Sequence, residues 1–287
     1  MLCYIPTKVT STKCQLNVYY LLTFKNNYNI FLYNLIIAEE YSKLEIVQYF
    51  ELIKDKFYST NNLKGNLFIT SDIHLKKNTD FKCFNVSNLN SNASVFQNSN
   101  FYLKYNSHAQ TLDLNFANKL NHTDKMIYLK SSGSRINTYV LNILLDNCEY
   151  TGNVNQIHLD KNTYSKVYQK NILLNSAKVY FKGLILLDKK SKDSCADQLN
   201  TSVCLTQQNV VCSIPTIEIL NKNVKCTHGS STGSFSSDEF FYMLSRGLNI
   251  IKIVKLFIFS FIYDIIKQFI IVNTKYIDLL NNSVRII

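Results

Sequence analysis

The amino-acid sequence predicts a mainly β protein, in which a β-solenoid core is followed by a C-terminal helical segment. Two observations carry this prediction: a strand–turn pattern that recurs along the chain, and a helix-capping sequence near residue 236. The composition agrees, because 46% of the 287 residues are hydrophobic and 13% are aromatic, which excludes disorder over most of the length. With only 7 Gly, the chain is also not built from flexible glycine linkers or several glycine-rich phosphate loops.

The recurring pattern is a short apolar strand with alternating burial that leads into polar, turn-forming residues. Seven copies start 26 to 37 residues apart, at residues 36–42, 73–79, 101–107, 127–133, 157–163, 185–191 and 217–223. One strand–turn–strand unit cannot bury its own apolar face, whereas stacked units close a continuous core, so this period favours a solenoid. A loose pattern of this kind also arises by chance in a chain rich in Ile, Leu and Asn. His74 and His158 occupy the same position in two copies, which indicates a structural role for both.

The segment from Ala38 to Phe57 fits two structures. Apolar residues recur at helical spacing from Ile46 to Phe57, with charged residues outside that face. Residues 44–47 also fit the returning strand of the first repeat, and we prefer this interpretation.

The C-terminal part carries helix signals. Ser236 and Glu239 have the spacing of a capping box ahead of an apolar run, and Gly247 follows where a C-terminal cap belongs. A second helix is expected at about residues 249–272, and charged residues interrupt it too often for it to span a bilayer. The predicted division is an N-terminal segment at 1–33, a β-helix core at 34–235 and a helical segment at 236–287.

The chain is basic, with 31 Lys and Arg against 20 Asp and Glu and a formal net charge of +11. A nucleic-acid groove needs basic residues on one face with aromatic residues between them. Here the basic residues are scattered, and adjacent pairs occur only at 76–77 and 189–190. Abundant Lys and Asn with little Gly and no Trp is typical of an AT-rich genome, so we assign the charge to that bias and expect no nucleic-acid partner.

Motif searches exclude several classes of protein. The sequence contains no GxxxxGK[ST], GxGxxG, GxSxG or HExxH motif, which argues against an ATPase or a motif-bearing hydrolase. Eight cysteines are present without a Cys-x-x-Cys pair and without a recognisable secretory signal. We therefore expect free thiols in a reducing compartment.

The residues with the most distinctive chemistry are Cys226 and His228. One residue separates them on an expected strand, so both side chains point to the same face. A thiolate beside an imidazole can bind iron or zinc, or it can form a nucleophile–base pair. A buried thiol next to a hydrogen-bonded histidine is the third interpretation, and the spacing alone leaves all three open.

Around this pair, the sequence resembles the SufB/SufD family, the scaffold proteins of the SUF iron–sulfur cluster assembly system. The matching residues are Pro215, Glu218, Ile219, Val224, Lys225, Cys226, His228, Gly229, Thr232, Gly233, Phe241, Tyr242, Ser245, Arg246 and Gly247. Upstream, residues 180–185 resemble the Phe-x-Gly-x-Ile strand of that family, and the repeats from Asn34 onward follow its β-helix.

This resemblance implies a right-handed parallel β-helix core with a C-terminal helical segment, in a protein that is a scaffold and not an enzyme. In the family, two such subunits pair, and each recruits one copy of the SufC ATPase through its C-terminal helices. A nascent iron–sulfur cluster forms transiently at the interface between a SufB-type and a SufD-type subunit. A cysteine of the first and a histidine of the second hold it.

Within the family, the residues near the pair are more similar to SufD. SufB-type chains have His-Glu where this chain has His228 and Gly229, and they have a Cys-Asp-Ser segment where this chain reads 197–200. The resemblance therefore makes His228 the expected cluster ligand and Cys226 its neighbour. It also implies a SufB-type paralogue as the partner.

Two alternatives remain for the role of the chain. In a SufB-type subunit, Cys195 or Cys204 would be the cluster cysteine. A stand-alone β-helix enzyme would use Cys226 and His228 directly. The AT-driven composition, the lack of a targeting segment and the SUF-type resemblance together indicate a plastid or relict plastid (apicoplast), with a cytoplasmic location as the alternative.

Overall fold

Sixteen strands and two helices form the part of the chain that the computed structural model describes, which is residues 1–6, 14–22, 28–52, 65–89, 93–116, 118–234 and 236–267. The strands are β1 (Leu2–Ile5), β2 (Cys14–Leu22), β3 (Tyr28–Ala38), β4 (Lys43–Leu52), β5 (Gly65–Leu75), β6 (Asp80–Asn88), β7 (Ala93–Leu103), β8 (His108–Phe116), β9 (Leu120–Leu129), β10 (Arg135–Leu144), β11 (Glu149–His158), β12 (Tyr164–Leu173), β13 (Lys178–Leu187), β14 (Ser194–Cys204), β15 (Val210–Ile219) and β16 (Val224–Gly233). The helices are α1 (Ser237–Ser245) and α2 (Ile250–Ile266).

The strands form two parallel sheets of eight strands each. All odd-numbered strands lie in one sheet and all even-numbered strands in the other, and each strand pairs with the strand two places along the chain. One odd strand and the even strand that follows it therefore make one rung of a coil. This arrangement confirms the predicted class, a mainly β parallel solenoid with a C-terminal helical segment.

The coil already includes strands that precede residue 34, where the sequence placed the start of the core. β1 pairs with β3, and β2 pairs with β4. The segment with ambiguous spacing is a strand over Lys43–Leu52, so the helical interpretation is wrong there. Residues 53–57 lie outside the described residues.

A repeated hydrogen bond stabilises the turn between the odd strand and the even strand in six rungs of the coil. A serine or threonine hydroxyl donates to the backbone carbonyl three residues earlier, as seen in Ser42 to Glu39, Thr79 to Lys76, Ser107 to Lys104, Ser134 to Ser131, Thr163 to Asp160 and Ser191 to Asp188. The residue before the hydroxyl has a left-handed backbone in several copies, which asparagine tolerates well, as at Asn78, Asn106 and Asn162. These polar residues explain why the turn is visible in the sequence.

One copy of the predicted repeat is displaced by one residue. His158 pairs in register with Leu129 and points into the core, whereas His74 pairs with Tyr102 and stacks on its ring on the outer surface. The two histidines are therefore not equivalent, although the sequence pattern predicts the same position for both. A shift of one residue moves a side chain to the opposite face of a strand, so the error reverses the burial of that copy.

The interior of the coil contains apolar residues and a ladder of buried amides. Asn115 donates to Asn142, Asn142 to Asn171 and Asn171 to Asn200, with N–O distances of 2.8, 2.7 and 2.8 Å. Each amide satisfies the next, so this polar row is compatible with burial. The ladder ends at β14, one rung before the last described strand.

Helix α1 has the predicted caps. The hydroxyl of Ser236 accepts a hydrogen bond from the backbone N–H of Glu239 at 3.1 Å, and Gly247 has a φ of +82° after the end of α1. Asn249 caps α2 in the same way. The predicted extension of this helix to residue 272 lies outside the described residues.

Helix α2 covers part of the outer surface of the even-numbered sheet. Ile258, Ile262 and Ile265 are buried against apolar residues that this sheet directs outward, including Leu141 and Ile172. This packing explains why β8, β10 and β12 of the even-numbered sheet are buried on both faces in their C-terminal halves. Neither described helix combines the length and apolar character required to span a membrane.

Candidate functional site

The last rung of the coil forms an open end. β15 and β16 are the final strands of the two sheets, and among the described residues no further strand pairs with either. Their inward-facing side chains therefore have a covered side toward the previous rung and an uncovered side. We call six of the inward-facing residues of these strands, Ser213, Pro215, Ile217, Cys226, His228 and Ser230, the open-end residues.

Cys226 and His228 point inward from β16, which confirms that they share a face. Cys226 pairs in register with Ala196, and His228 pairs with Gln198, both of which are buried in the previous rung. Cys226 is half-buried against Ala196 and its apolar neighbours, while His228 is exposed. The thiol is thus held by the core, and the imidazole is accessible from outside.

The surroundings of Cys226 favour the neutral thiol. Burial, the Asp197 carboxylate and the Cys195 thiol raise the pKa of Cys226 to about 11. At neutral pH the side chain is protonated, so it is a poor nucleophile and a poor metal ligand unless a cation displaces the proton. This argues against a stand-alone enzyme that uses Cys226 as its nucleophile.

Neither of the alternative cluster cysteines is one of the open-end residues. Cys195 points outward from β14 and is half-buried, and burial and Asp197 raise its pKa while Lys225 lowers it. Cys204 lies at the far end of β14, where burial raises its pKa. Cys212 is exposed on the outer face of β15.

The chain brings together two potential metal ligands at the open end. Within the described ranges, no group of three or more His, Cys, Asp or Glu side chains is close enough to hold a metal ion. Structural zinc and iron–sulfur sites use four protein ligands. Cys226 and His228 therefore offer half of such a set, and a complete site needs ligands from elsewhere.

Two contacts near the open end are not visible in the sequence. Gln198 is buried beneath His228, and its carboxamide lies against Gly183 of β13. Gly229 faces outward, where a Cβ atom would lie 3.1 Å from a methyl of Leu199. Gly229 meets Leu199 across a pair of strands about 30 residues apart, and Gln198 meets Gly183 across the interior, so no local motif marks these contacts.

Apolar side chains are exposed around the open end and on the helices. Ile214, Ile219 and Leu220 are exposed in and after β15. Phe241 and Ile251 are the most exposed of several apolar residues on α1 and α2, and α1 buries none of its side chains. Apolar patches of this kind mark surfaces that bind other proteins.

Comparison with known proteins identifies the family. A family model described as "SUF system FeS cluster assembly, SufBD core domain" matches residues 22–261. The iron–sulfur cluster assembly protein SufB of Bacillus subtilis (strain 168) is 23% identical over 265 residues, covering 92% of this chain and 55% of that protein. A SufBD family protein of Staphylococcus epidermidis (strain ATCC 12228) is 23% identical over 268 residues, with the same coverage.

A third relative is the SufBD family protein ycf24 of Porphyra purpurea, which is 31% identical over 112 residues, or 39% of this chain and 23% of that protein. The chain spans about half the length of the bacterial relatives described above. The family model covers most of the chain, including the coil from the end of β2 and the helix that packs on it. The chain therefore belongs to the SufB/SufD family of the SUF iron–sulfur cluster assembly system.

Proposed function

We propose that the chain is a SufD-like scaffold subunit, which pairs with a SufB-type subunit across its open end and assembles an iron–sulfur cluster at that interface. One observation carries this proposal: two adjacent potential ligands, Cys226 and His228, lie on a final strand whose site is incomplete. The cluster is the cargo of this scaffold. His228 is the ligand to iron, and Cys226 is its neighbour.

The edges of β15 and β16 suit a paired subunit. Unpaired backbone groups on an edge strand readily accept a strand from another chain. The exposed apolar residues Ile214, Ile219 and Leu220 lie in the same rung or beside it. A partner that covers this rung buries apolar area and brings the missing ligands to the same place.

The SufD-like role is supported by the residue beside His228. Gly229 has no side chain, and its position faces outward next to Leu199. This chain therefore has no carboxylate beside its histidine, in contrast to the His-Glu of SufB-type chains. A scaffold that offers one imidazole, and leaves the thiolate ligand to its partner, fits this arrangement.

The helices are the proposed binding site for a SufC ATPase. Helix α1 buries none of its side chains, and Phe241, Tyr242 and Leu244 are exposed on it. Ile250 and Ile251 at the start of α2 continue this apolar surface. An ATPase docked there would shield the apolar residues that the coil leaves uncovered.

The test is co-expression of the chain with a SufB-type subunit and a SufC ATPase, followed by anaerobic reconstitution and visible spectroscopy. We expect the three proteins to copurify and the cluster absorbance to develop. His228→Ala should lower the cluster yield about tenfold or more, since a ligand is lost. His108→Ala, an exposed histidine on the outer face of β8, is the matched control and should leave the yield unchanged. A normal yield from His228→Ala would contradict the proposal.

The same preparation distinguishes the SufB-type alternative, which the relative named SufB makes worth testing. In that case Cys195→Ser or Cys204→Ser should abolish the cluster when the chain is instead co-expressed with a SufD-type subunit and a SufC ATPase. Under the SufD-like proposal, neither change lowers the yield. Cys212→Ser, on the exposed outer face, serves as the control for thiol removal.

We also propose a plastid location. The Porphyra purpurea relative and the AT-driven composition support it. Detection of the chain in an organelle fraction, with an antibody raised against it, would test this location against the cytoplasmic alternative.

A further inference from the structure

Gln198 is a buried polar side chain without a hydrogen-bond partner among the described residues. Only 2% of it is exposed, and both Oε1 and Nε2 lack a partner there. Asn200, two residues further along β14, differs, because it donates to Ser213 and accepts from Asn171. A buried amide without partners is unfavourable for folding, so the presence of Gln198 needs an explanation other than stability.

Gln198 lies one rung behind the open end. It pairs in register with His228, and both point inward from neighbouring strands, which are about 4.8 Å apart in a parallel sheet. Its carboxamide crosses the interior to Gly183, where a Cβ atom would lie 1.6 Å from Nε2. Any larger residue at position 183 would displace this group. Together, the two residues hold an unpartnered carboxamide next to the rung of His228.

We propose that Gln198 is a positioning residue for His228, whose imidazole it orients by a hydrogen bond when His228 binds iron of the nascent cluster. This inference rests on the function proposed above. A histidine that binds a metal through one ring nitrogen usually donates the N–H of the other nitrogen to a nearby acceptor, which fixes its tautomer and orientation. The carboxamide oxygen of Gln198 is an unpartnered acceptor in the adjacent rung, and it supplies this partner.

Gln198→Met tests the proposal, because it keeps the length and burial of the side chain and removes both amide atoms. In the co-expressed complex, we expect the variant to melt at the wild-type temperature or above it, since no unpartnered amide is buried. Its reconstituted cluster should be lost to an iron chelator about tenfold faster. In a His228→Ala background, the same change should have no further effect on the cluster.

Gln169→Met is the matched control. Gln169 is also fully buried and inward-facing, its Oε1 also lacks a partner in the described part of the chain, and it lies two rungs from the open end. This variant should keep the wild-type cluster lifetime. A change of side-chain chemistry in the core would affect both variants, whereas loss of His228 positioning affects only Gln198→Met.

The outcomes separate this inference from the proposed function. A wild-type cluster lifetime in Gln198→Met, where His228→Ala shortens it, overturns the positioning role and leaves the proposed function intact. If His228→Ala has no effect either, both fail. If Gln198→Met lowers the melting temperature, the double variant Gly183→Ala, Gln198→Ala is measured, since the added methyl fills part of the space. Equal destabilisation of both variants assigns Gln198 a structural role and overturns the proposal, while normal melting with a shortened lifetime supports it.

Discussion

A buried ion pair inside the coil allows a quantitative test of the structure. Lys125 Nζ lies 2.7 Å from Asp113 Oδ2, and only 2% and 3% of the two side chains are exposed. The other oxygen of Asp113 accepts a hydrogen bond from Asn85 at 2.8 Å. Lys125→Met would leave the carboxylate buried with the amide as its remaining partner. Removing one member of a buried pair costs about 3–5 kcal/mol, so the free energy of unfolding should fall by that amount.

Urea unfolding followed by circular dichroism at neutral pH measures this loss. The double variant Asp113→Leu, Lys125→Met should recover most of it, because an apolar pair of similar volume replaces a buried ion pair at little net cost. About 1 kcal/mol should remain, since Asn85 loses its acceptor. Asp124→Asn is the surface control: its pair with His122 is 33% and 43% exposed, and we expect a change below about 1 kcal/mol.

Two results would refute this reasoning. If Lys125→Met lowers the free energy of unfolding by less than about 1 kcal/mol, the pair does not have the burial and partners described above. If the double variant is as unstable as the single variant, the loss comes from packing around Lys125 and not from the unpaired charge.

Three further predictions concern titration and capping. The pKa of Cys226 is raised to about 11, so little of this thiol is ionised at pH 8. Its alkylation at pH 8, measured by mass spectrometry of its peptide, should be about a hundredfold slower in the folded chain than in urea. Equal rates would contradict the burial. Burial lowers the pKa of His158 to about 4, below the unfolded value near 6.5, so the unfolded state binds more protons between these values and stability falls as the pH decreases through this window. Between pH 7 and pH 5, the free energy of unfolding of wild type should fall by about 2 kcal/mol more than that of His158→Gln. If urea unfolding gives the same pH dependence for both proteins, this account is excluded. Ser236→Ala should destabilise α1 by about 1 kcal/mol, which would be measured as faster hydrogen exchange in that helix. Global unfolding should be unchanged, because α1 buries no side chain. A change in global stability would contradict this prediction.

The parts of the fold that depend on local chemistry could be predicted from the sequence. The hydroxyl and asparagine residues of each turn, such as Thr79 and Asn78, mark the corners of the coil because their interactions lie within four residues. The cap at Ser236 is local in the same way. The copy at residue 157 was misplaced because its register depends on pairing with β9, about 29 residues earlier, where Gln156 takes the position that an isoleucine holds in other copies.

The candidate site could likewise be predicted from the sequence only where its residues are close together along the chain. The shared face of Cys226 and His228 follows from their spacing on one strand, so the sequence was sufficient. The role of Gln198 depends on packing against two other strands: that of Gly183, which precedes its own strand, and that of His228, 30 residues later. A single sequence contains no signal for that proximity, and a buried amide without a partner can be recognised only once the packing is known.

The position of a residue along the coil, more than its type, determines what it can do in this protein. Cys83 and His158 are the same residue types as the candidate pair, but they lie in inner rungs. Burial raises the pKa of Cys83 to about 12 and lowers that of His158 to about 4, and Thr163 and Ser165 both hydrogen-bond to the imidazole of His158. Both side chains point into the interior of rungs that are covered on both sides, so neither can be reached by a metal ion. In the part of the chain that the structure describes, no strand pairs beyond the last rung, and there Cys226 is half-buried and His228 is exposed. An inward-pointing thiol or imidazole therefore becomes accessible where the covering rung ends, and the proposed pairing with a second subunit rests on this accessibility.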